Sequence, residues 1–128
     1  MKAQPMIRKA KILVVEDDHH SMLLMHELLL MHGYEALQAW GGFQGWELAQ
    51  QHHPDLILLD IRLRDISGME MAKWLKCHQV LQTIPIIAVT ALAMKGDKEK
   101  LLANGCDEYI PKPISISDLL EKIEHLLH

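Results

Sequence analysis

Asp55-Leu56-Ile57-Leu58-Leu59-Asp60 is the stretch that decides the fold. Four consecutive large apolar residues follow Pro54 and Asp55 and run straight into Asp60. A run that short, apolar on both faces, predicts a strand buried in the middle of a parallel sheet; a sheet with one wet face would alternate instead. Open α/β sheets form their ligand sites outside the carboxyl ends of their strands. Asp60 is therefore the first candidate functional residue, and its meaning depends on what the other strands bring to that rim.

Upstream, residues 1–9 read as a short N-terminal tail and 10–128 as one domain. Lys11-Ile12-Leu13-Val14-Val15 is an apolar strand that runs into Glu16-Asp17-Asp18. A helix from about Ser21 to His32 follows, with Leu24, Leu28 and Met31 expected on one face and Gly33 placed to end it. Tyr34 to Trp40 alternates as a strand does, Gly41-Gly42 turns the chain, and a helix from about Phe43 to Gln51 stops before Pro54. Downstream of Asp60, Arg62 to Gly68 reads as a loop and Met69 to His78 as the third helix. Ile84 to Thr90 is a fourth apolar strand with Pro85 at its start, where a strand tolerates proline. Lys95 to Ala103 reads as a polar fourth helix ended by Asn104-Gly105. A short strand, Glu108-Tyr109-Ile110, leads into Pro111-Lys112-Pro113, and Ser115-Ile116-Ser117-Asp118 offers two N-caps for a helix reaching almost to His128. Five strands alternate with five helices, and each connection is long enough for a right-handed crossover. The expected fold is α/β, a (βα)5 doubly wound parallel sheet. The first, third and fourth strands are the most uniformly apolar and belong in the centre, which the order 2-1-3-4-5 achieves.

Composition narrows the function classes. A chain of 128 residues fits one domain with a real core. Its 49% apolar and 23% charged residues are ordinary for a globular protein. A net charge of −4 without any basic stripe argues against direct contact with nucleic acid. The apolar run Met22 to Met25 is halted by His26 and Glu27, so no membrane insertion is expected. Met1 to Pro5 lacks the apolar segment of a secretory signal. Cys77 and Cys106 make neither a disulfide framework nor a metal spacing; both are expected to be small buried hydrophobes in a reducing, cytoplasmic setting. The pairs His19-His20 and His52-His53 cannot share a helical face, and read as surface polar residues.

In the order 2-1-3-4-5 the carboxyl ends of four strands converge, carrying Glu16-Asp17, Asp60, Thr90 and Lys112. Carboxylates brought together raise one another's pKa unless a cation neutralises them, and hard oxygen ligands with room for water suit Mg2+. A divalent ion, an ammonium and a hydroxyl are what phosphoryl transfer asks for: positioning and charge neutralisation. Asp60 is then the nucleophile and phosphoacceptor. Asp17 holds the metal beside it, Glu16 does so partly through water, and the backbone carbonyl of Arg62 supplies a further ligand. Lys112 binds Asp60 before transfer and a phosphoryl oxygen after it, and Thr90 donates its hydroxyl to another. Drawing Thr90 inward vacates space that the ring of Tyr109 fills, which makes Thr90 and Tyr109 the switch pair.

At these residues the chain resembles the receiver domains of two-component response regulators, essentially from Lys11 to Leu127. The resemblance lies in Ile12 to Asp18, Leu56 to Ile61, Val89-Thr90-Ala91 and Tyr109-Ile110-Pro111-Lys112-Pro113. More narrowly, Ala88 to Asp97 and Gly105 to Ile110 look like the single-domain cell-division regulators of that family. The resemblance implies a flavodoxin-like fold, a phosphoryl donor that is a histidine kinase or a histidine phosphotransfer protein, and a cis peptide before Pro113 that aims Lys112 into the site. The chain departs from the family at Arg64, where receivers commonly have proline, and at Ser67, where they commonly have aspartate. Neither position is expected to carry chemistry, but together they are expected to alter the loop. Arg62, two residues past the acceptor, is expected to shield an acyl phosphate and slow its hydrolysis.

Other readings fit less well. A haloacid-dehalogenase-type phosphatase needs a second aspartate where Arg62 stands. A flavin binder needs a phosphate-cradling loop after the first strand, where Glu16-Asp17-Asp18 would repel phosphate. A receiver-like binding module that never takes phosphate would be expected to lose the acceptor or the lysine. The expectation is a Mg2+-dependent single-domain response regulator, a phosphoacceptor that catalyses its own phosphorylation and slow dephosphorylation. It acts as a monomer or weak dimer and signals to an effector protein through the fourth helix, fifth strand and fifth helix around Tyr109. A phosphorelay intermediate passing phosphate onward is the alternative. His19, His20 and Met22 are expected to border the docking surface for a partner helix.

Overall fold

The computed structural model describes residues 9–91 and 97–128, so residues 1–8 of the expected tail and the first two residues of the expected fourth helix lie outside the described residues. Within it the elements run β1 (Lys11–Val15), α1 (His19–Met31), β2 (Glu35–Ala39), α2 (Gly42–His52), β3 (Leu56–Asp60), α3 (Gly68–Cys77), β4 (Ile86–Thr90), α4 (Asp97–Ala103), β5 (Glu108–Pro111) and α5 (Ile116–Leu127). All strand pairs are parallel and the order is β2-β1-β3-β4-β5, as the apolar runs predict. β3 and β4 are buried at every position, whereas the edge strands β2 and β5 are only partly covered.

The two-residue period of the strands sorts the core into two layers. Leu13, Val15, Ile57, Leu59 and Ala88 meet Ala49 of α2, Ala72 and Leu75 of α3 and Leu101 of α4. On the other face, Ile12, Val14, Leu58 and Val89 meet Met25 and Leu29 of α1 and Leu119 and Ile123 of α5. Side chains fill both faces, and the strand ends are left as the place where polar groups can gather.

Three local expectations are corrected. Cys77, at the end of α3, is exposed, whereas Cys106 is buried. α1 buries Met22, Met25, Leu28 and Leu29, while Leu24 and Met31 are 46% and 78% exposed. The helix starts earlier than its sequence suggested, because Asp18 caps it by accepting the Ser21 N–H at 2.9 Å. It is also apolar nearly all round, so periodicity alone does not pick its buried stripe. β4 begins at Ile86 rather than Ile84, since Leu81–Thr83 forms a short 3-10 turn ahead of it. Gly33, at φ +84°, directly follows the α1 C-cap His32, as its helix-ending role requires.

Candidate functional site

β1, β3, β4 and β5 end side by side. The register places Asp60 opposite Val89 and Thr90 opposite Pro111, and the Lys112 N–H donates to the Thr90 carbonyl at 2.8 Å. Strand pairing thus continues one residue past β5 and fixes the backbone from which Lys112 projects. The Lys112–Pro113 peptide bond is cis.

Lys112 Nζ lies 3.0 Å from Glu16 Oε2 and 3.4 Å from Asp60 Oδ2. Its nearer partner is therefore Glu16, a pairing that strand ends alone do not foretell. Glu16 has no exposed surface; its other oxygen accepts the Asp18 N–H at 3.1 Å. Asp60 Oδ1 accepts the Arg62 N–H at 3.0 Å, so both oxygens of the acceptor carboxylate are engaged. Asp17 Oδ2 accepts the Arg64 N–H at 3.0 Å. One carboxylate oxygen from each of Glu16, Asp17 and Asp60 lies within 4.8 Å of the others.

Charge follows from this crowding. Burial, and then the neighbouring Asp60, push the Glu16 carboxyl up to about 7, against the pull of Lys112 and the Asp18 N–H. Burial alone would lower the Lys112 ammonium, but its bonds to Glu16 and Asp60 outweigh that and hold it above its ordinary value. Three carboxylates share one ammonium, so the pocket retains an excess of negative charge. Hard oxygens in this number and proximity fit Mg2+.

The structure places the remaining predicted residues as follows. Thr90 is buried at the end of β4. Tyr109 is half-buried on β5, paired with Ala88, and Lys98 Nζ lies 6.0 Å from its ring centroid. Arg62 is exposed on the loop after β3. His19 and His20 are exposed, but Met22 is wholly buried under α1 and cannot border a docking surface.

The β3–α3 loop makes contacts at the edge of the site that the sequence barely announces. The main-chain N–H of Arg64 donates to Asp17, a candidate metal ligand. Asp65 accepts the N–H groups of Gly42 and Phe43 at 2.9 and 3.0 Å, capping α2 from across the loop where its own N-cap, Gly41, has no side chain. Burial tends to raise the Asp65 carboxyl, but these donors and the Ile66 N–H outweigh that and hold it below the usual range. Ser67 caps α3 by accepting the Glu70 N–H at 3.1 Å. An N-cap with no side chain, Gly41, is the one hint in the sequence that a donor set there must be met from elsewhere.

Comparison with known proteins points the same way. The response regulator receiver domain profile matches residues 12–124. The polar-differentiation response regulator DivK of Brucella ovis is 47% identical over 116 residues, covering 91% of this chain and 94% of that protein. DivK of Brucella anthropi is 46% identical over the same shares. The crystal structure of a CheY-like receiver domain protein from Methanospirillum hungatei superposes with a TM-score of 0.85 at 32% identity, covering 94% of each chain. The receiver domain of a Pseudomonas aeruginosa sensor histidine kinase, crystallised with a magnesium ion coordinated in its active-site cleft, gives 0.86 at 28% identity over 94% of this chain and 98% of that one. Among the described residues no helix is long and apolar enough to cross a membrane.

Proposed function

Because the chain belongs to the response regulator receiver domain family and is DivK-like over most of its length, we propose that residues 10–128 form a phosphoacceptor domain that takes a phosphoryl group from a phosphohistidine onto Asp60. The observation that carries this is the bridge from Lys112 to Glu16 and Asp60 beside Asp17, three carboxylates and one ammonium at a single sheet edge. An Asp60 oxygen attacks phosphorus while the phosphorus–nitrogen bond to the donor imidazole breaks; the nitrogen keeps the electron pair. Asp17, Asp60, Glu16 and the Arg62 carbonyl would hold Mg2+, which when bound would neutralise carboxylate and phosphoryl charge. Lys112 exchanges its Asp60 contact for a phosphoryl oxygen, Thr90 donates its hydroxyl to another, and Tyr109 follows Thr90 inward.

The partners are a cytoplasmic histidine kinase or histidine phosphotransfer protein and a downstream effector. A cleft of about 230 Å³ beside Lys112, lined by His20, Ser21, Leu24, Pro113 and Ile114, has room for a side chain of the docking donor. Leu24 of that lining is exposed, as is its chain neighbour Leu23. The effector reads the α4–β5–α5 side around Tyr109. The chain is a phosphoacceptor that promotes its own phosphorylation and slow dephosphorylation.

Acetyl phosphate with Mg2+ tests this directly. Intact mass is expected to show one phosphate adduct on the parent and none on Asp60→Asn. An unmodified parent would leave a binding module in its place. Arg62, exposed two residues past the acceptor, is expected to lengthen the life of the adduct: Arg62→Asn should lose its phosphate faster than the parent. Decay of the adduct after acetyl phosphate is removed by gel filtration, with Mg2+ kept present, measures this, and equal or slower loss from the variant rules the shielding out.

A further inference from the structure

We propose that the backbone N–H of Arg64 is a positioning group for the Asp17 carboxylate, aligned by the Asp65 clamp on α2, and that it sets the affinity of the site for Mg2+. The inference rests on the Mg2+ reading above and concerns residues for which the sequence suggested no role.

A carboxylate at a strand end that is free to rotate must be ordered each time it takes a cation. Asp17 is not free, because its Oδ2 accepts the Arg64 N–H at 3.0 Å. The hydrogen-bonded partners of a metal ligand fix its orientation, and losing one typically costs about 10–100-fold in metal affinity. The donor here is main chain and cannot swing away unless the loop moves. The loop is held by the next residue, Asp65, whose two oxygens take the Gly42 and Phe43 N–H groups at the start of α2. Asp17 is thus tied through two consecutive residues to a helix that packs on β1.

The Arg64 side chain contributes little by comparison. Its Nε is 3.9 Å from Asp17 Oδ2 and the side chain is 90% exposed. Ion pairs that open to water are worth very little. The side chain should be dispensable and the N–H not, which separates this proposal from an ordinary charge effect. Alanine at 64 keeps the donor; proline deletes it.

The test is calorimetric titration of MgCl2 into the full chain, for the parent, Arg64→Ala, Arg64→Pro and Asp65→Ala, with circular dichroism confirming the fold of each. Arg64→Ala is expected to bind within about twofold of the parent, and Arg64→Pro about 10-fold more weakly. Asp65→Ala should also bind several-fold more weakly, because it frees the loop while leaving every candidate ligand in place. If Arg64→Pro binds as tightly as Arg64→Ala, or more tightly, the N–H does not position Asp17 and the inference is overturned while the Mg2+ reading stands. Should Arg64→Pro not fold, Asp65→Ala decides: an unchanged dissociation constant overturns the proposal. A parent that shows no saturable Mg2+ binding removes the underlying reading as well.

Discussion

Replacing Lys112 with alanine is expected to cost about 3–5 kcal/mol of stability at about pH 8 and distinctly less at about pH 5, besides abolishing the phosphate adduct. Lys112 places its ammonium 3.0 Å from Glu16 and 3.4 Å from Asp60, and both carboxylates are buried. Removing one partner of a buried pair leaves an uncompensated charge, and that is what the large figure reflects. Glu16 has an escape, however. Burial and Asp60 already push it up to about 7 from its ordinary 4.5, with Lys112 holding it down. A carboxyl whose folded pKa is raised binds extra protons in the native state. Its contribution to stability is fully present below about 4.5 and is lost as pH rises through about 7. Without Lys112 the Glu16 carboxyl rises further, so the variant and the parent separate mainly on the alkaline side, where Glu16 must ionise beside Asp60. Urea midpoints across pH, without divalent ions, measure the gap. Glu16→Gln should flatten the limb between pH 4.5 and 7 in the parent. Adding Mg2+ should restore part of the lost stability to Lys112→Ala, because a cation that binds only the folded site stabilises it by mass action. Parallel pH profiles for the parent and Lys112→Ala would mean that the ammonium is not what compensates Glu16.

The sheet could be read from the sequence because strands buried on both faces leave runs such as Leu56 to Leu59 and Ile86 to Val89 that nothing interrupts. The site could be read because Asp60 and Thr90 close such runs and Lys112 stands one residue past the short fifth strand, and a parallel sheet sends all those ends to one edge. What could not be read has two physical origins. A helix that is apolar on most sides, like α1, hides its buried stripe: Met22 and Leu24 are alike in the sequence, yet one is fully buried and the other exposed. Main-chain donors carry no residue signature either. Any residue but proline at 64 could donate to Asp17, so Arg64 looks silent until the loop is seen folded over the rim. The Asp65 clamp joins residues 22 and 23 positions apart, which no local pattern encodes. Glu16 and Asp17 are adjacent and chemically alike, yet Glu16 is sealed against Lys112 while Asp17 also accepts from the loop at Arg64, a division of partners that residue type does not reveal.

Gly68→Ala is expected to be the most damaging single-methyl change at the site, lowering stability by about 1–3 kcal/mol and sharply reducing phosphorylation of Asp60. Gly68 is the first residue of α3 and is buried against the end of β3, with its N–H donating to the Ile61 carbonyl at 3.0 Å. A Cβ there would run into the carbonyl oxygen of Asp60 and approach Ile61 Cα to 2.8 Å. Both obstacles are backbone, so no rotamer change relieves them. Either α3 withdraws, losing the bond to Ile61 and straining the Ser67 cap, or the Asp60 backbone shifts and carries its carboxylate away from Lys112. Gly33→Ala is the matched control. It also places a side chain on a demanding glycine, at φ +84°, but nothing lies within 4 Å of the added carbon and the residue sits at the far end of α1. It should lose about 1 kcal/mol through backbone conformation alone and keep a normal phosphate adduct. Urea denaturation and adduct yield on both variants separate a cost paid at the strand end from one paid in a turn. Gly68→Ala with stability and adduct yield equal to the parent would show that α3 does not brace the acceptor.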